Sequence, residues 1–86
     1  MSPEWTDGNA LAGPLGEVFA VDITTAIGTC VGCGRTGLVA EVHVYAQAPG
    51  VVARCPSCDT VLIRMVRTPD RVHLDLRGLT SLTFPL

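Results

Sequence analysis

The chain has 86 residues, 48% of them hydrophobic and 16% charged, which bounds it to one small domain with a core that needs a staple. No apolar run approaches the ~20 residues of a membrane helix. The formal charge of −2, with every one of the six bases an arginine, speaks against a nucleic-acid groove and makes nucleic acid an unlikely partner.

From the N-terminus, Met1-Ser2-Pro3-Glu4-Trp5-Thr6-Asp7 offers neither a positive n-region nor an apolar h-region. It therefore does not read as a secretion signal, and a cytoplasmic home is expected. Asp7 is placed to cap a short turn through Asn9–Ala12 that Gly13 closes, and Pro14 to open a second through Leu15–Phe19. Leu11, Leu15, Val18 and Phe19 fall at helical spacing. Residues 1–21 thus read as a helical lid, expected to lie on the C-terminal hairpin with Glu17 or Asp22 near its arginines.

Residues 22–78 carry the main β signal. Asp22–Thr29 is rich in β-branched residues and predicts a strand into the first cysteine pair, Cys30-Val31-Gly32-Cys33. Arg35-Thr36-Gly37 turns the chain. Leu38–Tyr45 alternates, with Leu38, Ala40, Val42 and Val44 on one face and Val39, Glu41, His43 and Tyr45 on the other. Ala48-Pro49-Gly50-Val51 fits a type II turn, and Val51–Arg54 returns to the second pair, Cys55-Pro56-Ser57-Cys58.

Thr60–Thr68 and Arg71–Arg77 flank Pro69-Asp70, a strong turn pair. That loop pairs Met65 with Leu74, Arg64 with Asp75, Val66 with His73, Ile63 with Leu76 and Leu62 with Arg77. Leu62 and Val66 then leave an apolar patch that needs a cover. Residues 79–86 read as an apolar tail.

Two C-x-x-C units separated by 21 residues predict one tetrahedral four-thiolate site formed by Cys30, Cys33, Cys55 and Cys58. Zn²⁺ is the expected occupant and iron the alternative, since four sulfurs suit either. Disulfides would demand an oxidising compartment. Dithiol catalysis would want a helix after the motif, and the sequence offers none. With thiolates and Zn²⁺ counted, the charge becomes about −4.

These knuckles, with a strand pair between them and a hairpin after, resemble a zinc ribbon over residues 24–77. Cys30-Val31-Gly32-Cys33-Gly34 and Cys55-Pro56-Ser57-Cys58 also resemble the rubredoxin pattern C-x-x-C-G and C-P-x-C-G, which would imply iron and electron transfer. Asp59 stands where rubredoxins have the second glycine, and their aromatic core is missing. The whole chain, including Asp7–Gly13 and the Arg67-Thr68-Pro69-Asp70-Arg71 turn, is similar to a family of small uncharacterised actinobacterial proteins. That resemblance implies a cytoplasmic home and no particular activity, and it points to genes beside flavin- or molybdenum-dependent oxidoreductases.

His43, with Glu41 and Tyr45, can be read as a proton relay. A polar strand face explains the trio as well, since nothing supplies a nucleophile or a closed pocket. His73 reads as a surface residue. Four cysteines close the metal site, whereas catalytic zinc keeps a position open. The expected fold is mainly β, a ribbon of short antiparallel strands with N-terminal helical turns. The expected role is non-enzymatic: a protein-interaction or accessory module with a protein partner, the alternatives being a rubredoxin-like electron carrier and a nucleic-acid-binding zinc ribbon. The unspent apolar surface points to a homodimer.

Overall fold

The computed structural model describes residues 5–16, 18–47 and 50–85. Its strands are β1 (Thr6–Asp7), β2 (Ile27–Cys30), β3 (Thr36–Leu38), β4 (His43–Gln47), β5 (Gly50–Arg54), β6 (Val61–Thr68), β7 (Arg71–Asp75) and β8 (Leu79–Thr83). They form a five-stranded sheet in the order β1-β4-β5-β6-β7 and a three-stranded sheet in the order β3-β2-β8. Every pairing is antiparallel. The fold is mainly β, as the alternating patterns predict.

Period-two alternation builds the core. Val44, Ala53, Ile63 and Met65 are buried from one face of the larger sheet, and they pack with Cys30, Val39 and Val42. Leu11 and Leu15 of the N-terminal turns fill the same core, each almost fully buried. Phe19 and Phe84 meet with ring centroids 5.8 Å apart, joining the two ends of the chain.

Asp7 caps as its position predicts, its carboxylate accepting the Asn9 N–H at 3.0 Å. The turn it starts is a 3-10 turn, Gly8–Leu11, followed directly by a one-turn helix, Ala12–Leu15. Gly13 and Pro14 do not separate two turns: both lie inside that helix, and Pro14 falls in its first turn, where an N–H would have no intrahelical partner. Gly8 has a separate reason to be glycine: a Cβ there would run into the Val39 carbonyl.

Several expectations change. Asp22–Thr29 is not one strand. Asp22 accepts from the Thr24 N–H at 3.0 Å and hydroxyl at 2.7 Å, capping a 3-10 turn over Ile23–Thr25, and only Ile27–Cys30 is extended. β-branched composition lost there to a local side-chain cap. Leu38–Tyr45 is likewise broken by a 3-10 turn, Val39–Glu41, which buries Val39 and leaves Leu38 exposed. In the apolar stripe Leu11 and Leu15 are buried and Phe19 half-buried, but Val18 is exposed. The N-terminal turns pack on the Val39–Glu41 turn and β4, away from the hairpin, so Asp22 serves its own cap and not the hairpin arginines. Glu17, Ala48 and Pro49 lie outside the described residues.

The hairpin register is as expected for Met65–Leu74, Arg64–Asp75 and Val66–His73, with Pro69-Asp70 at the turn. β7 ends at Asp75, before the expected Ile63–Leu76 and Leu62–Arg77 pairs. Asp75 is held by Arg77 rather than matched to Arg64 alone, at 2.7 Å and 3.0 Å. Leu62 is buried. The stretch read as an apolar tail contains β8, which pairs with β2 and covers its edge.

Candidate metal centre

Each cysteine pair is the turn of a hairpin: the first joins β2 to β3, the second joins β5 to β6. A ladder irregularity lies at the entry to each, between Thr29 and Cys30 against β8 and between Ala53 and Arg54 against β6. Such an extra residue bends the strand and re-aims its last side chain.

The two turns share one hydrogen-bond pattern. Cys30 N–H donates to the Arg35 carbonyl at 2.8 Å, and Cys55 N–H to that of Thr60 at 2.9 Å. Gly34 and Asp59 donate back to the Cys30 and Cys55 carbonyls, both at 2.9 Å. These two residues hold φ of +77° and +67°, the left-handed region in which glycine is free of strain and Asp tolerated. The N–H groups of Gly32 and Ser57 point at the sulfurs of Cys30 and Cys55, at 3.3 Å and 3.4 Å.

The four sulfurs converge. Cys30 and Cys58 lie 3.6 Å apart, Cys33 and Cys55 3.7 Å, and all four within 4.8 Å of one another. A tetrahedral ion with bonds of ~2.3 Å needs sulfur–sulfur edges of about 3.8 Å. All four cysteines are free thiols, so the group can hold a metal ion. Cys30 and Cys55 are buried while Cys33 and Cys58 face solvent. Behind the buried pair, against Val39, Val42, Leu62 and Ile63, the sheets leave a cavity of about 10 Å³, room for one water.

Electrostatics fits the same use. The Thr60 hydroxyl, 3.0 Å from the Cys58 sulfur, and the Thr60 N–H together lower the Cys58 thiol to about 6. Cys55 is also lowered: burial opposes ionisation, and donation from the Cys58 and Ser57 N–H groups outweighs it. At Cys33 the Arg35 N–H favours the thiolate, but burial and the three neighbouring sulfurs prevail and push it up to about 11. Four thiols this close cannot all ionise without a cation among them. A bound cation removes that conflict, which is why such sites bind metal and release protons together.

Of the residues picked out from sequence, all four cysteines come together. The Glu41–His43–Tyr45 trio does not. Glu41 sits in the 3-10 turn and pairs with Arg35 at 3.2 Å. His43 stacks on Trp5 with centroids 3.6 Å apart, and Tyr45 lies beneath Arg54 at 5.9 Å. Sequence reasoning missed Thr60 and Gly78. Thr60 has a signal, since it stands two residues past the second pair as Arg35 does past the first. Gly78 accepts the Val31 N–H at 2.8 Å and lies against Val61 and Leu62, where a Cβ would strike backbone. Nothing in a glycine before an apolar stretch announces that contact.

Residues 2–86 match a family of unknown function, DUF6510. The chain belongs to that family. No curated protein and no solved structure matches it. No helix among the described residues of this DUF6510 protein is long and apolar enough to cross a membrane.

Proposed function

We propose that Cys30, Cys33, Cys55 and Cys58 hold one structural Zn²⁺, and that the protein is a zinc-ribbon-like interaction or accessory module, not an enzyme. The observation that carries this is the sulfur geometry, with edges of 3.6 and 3.7 Å close to those of a tetrahedral thiolate site. Four protein ligands leave the ion no open position for a substrate, and the cavity behind them holds at most one water. The ion's contribution is structural: it ties both hairpin turns together, worth on the order of 10 kcal/mol of apparent binding energy. Free thiols at this spacing suit a reducing compartment, hence the cytoplasm. Val18, Val21, Ile27 and Leu38 remain exposed, and Ile27 and Leu38 are cross-strand neighbours. They support self-association as a dimer, for which light scattering at tens of micromolar is the test. A single mass at 9.0 kDa would refute it.

A second reading has its own support. The matched turns and their N–H···S contacts also suit a rubredoxin-like iron site, with solvent-facing Cys33 and Cys58 as the electron exit. Asp59 in the left-handed position, and a site lined by aliphatic rather than aromatic residues, favour zinc. Metal analysis of protein made without added iron decides. Zinc at one per chain supports the first reading, and a reproducible red chromophore replaces it with the second.

A further inference from the structure

The four cysteines differ in a way that ligation alone does not require. In each turn the first sulfur is buried and the second faces solvent: Cys30 and Cys55 are 3% and 2% exposed, while Cys33 and Cys58 lie open. Their contacts run across the turns. Exposed Cys58 lies 3.6 Å from buried Cys30, and exposed Cys33 lies 3.7 Å from buried Cys55. The buried members are held in place, since the Gly32 and Ser57 N–H groups point at their sulfurs at 3.3 Å and 3.4 Å. An accessible sulfur with a second one poised beside it is the arrangement by which thiols sense oxidants.

We propose that the centre is an oxidant switch, in which a hydroperoxide drives out the metal and leaves two cross-turn disulfides, Cys30–Cys58 and Cys33–Cys55. The inference rests on the metal-site reading above. The Cys58 thiolate attacks hydrogen peroxide: an S–O bond forms, the O–O bond breaks and hydroxide leaves, giving a sulfenic acid. The Cys30 thiolate then attacks that sulfur; an S–S bond forms, the S–O bond breaks and a second hydroxide leaves. Two thiolates have lost two electrons, and one hydrogen peroxide, with two protons from solvent, has become two waters. A second equivalent does the same at Cys33, with Cys55 as the resolving thiolate. Two thiolates remain after the first round and none after the second, so the ion loses its ligands.

What sets this pairing apart is where the new bonds fall. Ring closure in a flexible chain favours the shorter loop, so without the fold each C-x-x-C unit pairs within itself. In-turn bonds would leave the two hairpin turns untied. Cross-turn bonds take over the tie between the β2–β3 turn and the β5–β6 turn, so the metal leaves and the joined sheets stay. The oxidised chain is thus a folded, metal-free form, which the reduced chain without metal is not.

Trypsin reads the pairing directly. Cuts after Arg35, Arg54 and Arg64 put Cys30 and Cys33 on one peptide and Cys55 and Cys58 on another. Protein of measured metal content is treated with hydrogen peroxide beside a chromophoric zinc chelator, blocked at free thiols and digested without reductant. Fragmentation between the cysteines of each peptide tells Cys30–Cys58 from Cys30–Cys55. A metal-free sample unfolded in guanidinium and oxidised in the same way is the control. The native protein should release its zinc as it loses four hydrogens, yield the linked peptide pair, keep a dispersed NMR spectrum and take zinc back after reduction. The control should give the separate peptides. Separate peptides from the native sample, the same map from both samples, Cys30 bonded to Cys55, or oxygen added to sulfur in place of disulfides would each overturn the proposal. So would a collapsed spectrum after oxidation, or zinc retained at a peroxide concentration that oxidises the control. Iron in the untreated sample replaces the zinc reading and is seen before any oxidant is added, while zinc-loaded protein that fails the peptide map sinks the switch alone.

Discussion

The left-handed residue that closes each cysteine turn gives a sharp test, because the two turns solve one problem with different residues. At Gly34, φ is +77° and an added Cβ would meet nothing within 4 Å. Any cost of Gly34→Ala is therefore backbone strain alone. Left-handed backbone costs an alanine about 1–2 kcal/mol, and loss of glycine's unfolded-state freedom returns about 0.4–1. The net is about 1 kcal/mol of destabilisation, or roughly a fivefold loss of zinc affinity where metal binding and folding are one step. Asp59→Gly at φ +67° is the comparator. It sheds strain, adds unfolded-state freedom and loses an exposed ion pair worth at most about 0.5 kcal/mol, so its affinity should stay within about threefold of wild type. Competition against a chromophoric chelator measures both, with circular dichroism at saturating zinc to verify the fold. Gly34→Ala within twofold of wild type, or Asp59→Gly down tenfold, would refute the strain account.

Cys55→Ser should lose the tertiary fold, since a three-thiolate site forfeits much of the energy that joins the two sheets; a dispersed NMR spectrum at 25 °C would show that the metal is not the staple. Leu15 is fully buried, so Leu15→Ala should cost about 2–5 kcal/mol in urea unfolding of the loaded protein. A loss below about 1 kcal/mol would remove the N-terminal turns from the core. For Thr60→Val the sign follows from Cys58, whose thiol the Thr60 hydroxyl, with the Thr60 N–H, lowers to about 6. Without that hydroxyl the Cys58 thiol rises, protons compete for the sulfur at higher pH, and metal should leave roughly a few tenths of a pH unit sooner on acidification. An acid-release midpoint that does not move upward contradicts this.

Sequence made the cysteine centre legible because metal ligation is written in spacing: two C-x-x-C units on turns leave few other arrangements for the sulfurs. The hairpin register was legible for a similar reason, since Pro69-Asp70 fixes the loop and the loop fixes the pairs as far as Arg64–Asp75, where β7 ends. The 3-10 turns at Ile23–Thr25 and Val39–Glu41 were not. Their β-branched and alternating residues look like strand, and only the Asp22 carboxylate and the tertiary demand to bury Val39 override that preference. β8 was hidden because its partner, β2, lies some 50 residues back, and no local pattern reports a pairing at that distance. Trp5 on His43 was invisible for the same reason.

The return of β8 to β2 has a kinetic side. Cys30 stands opposite Leu79, so the bare chain must close a loop of roughly 50 residues to make that pairing. A metal ion clasped by Cys30 and Cys58 shortens the remaining loop to roughly 20 residues, lowering the closure entropy by about 0.7 kcal/mol. A bound ion would act as a splice in the chain's contour, turning the most distant pairing of the smaller sheet into a nearer one. Were metal captured before β8 docks, the last strand would close the shorter loop and seal a centre already formed.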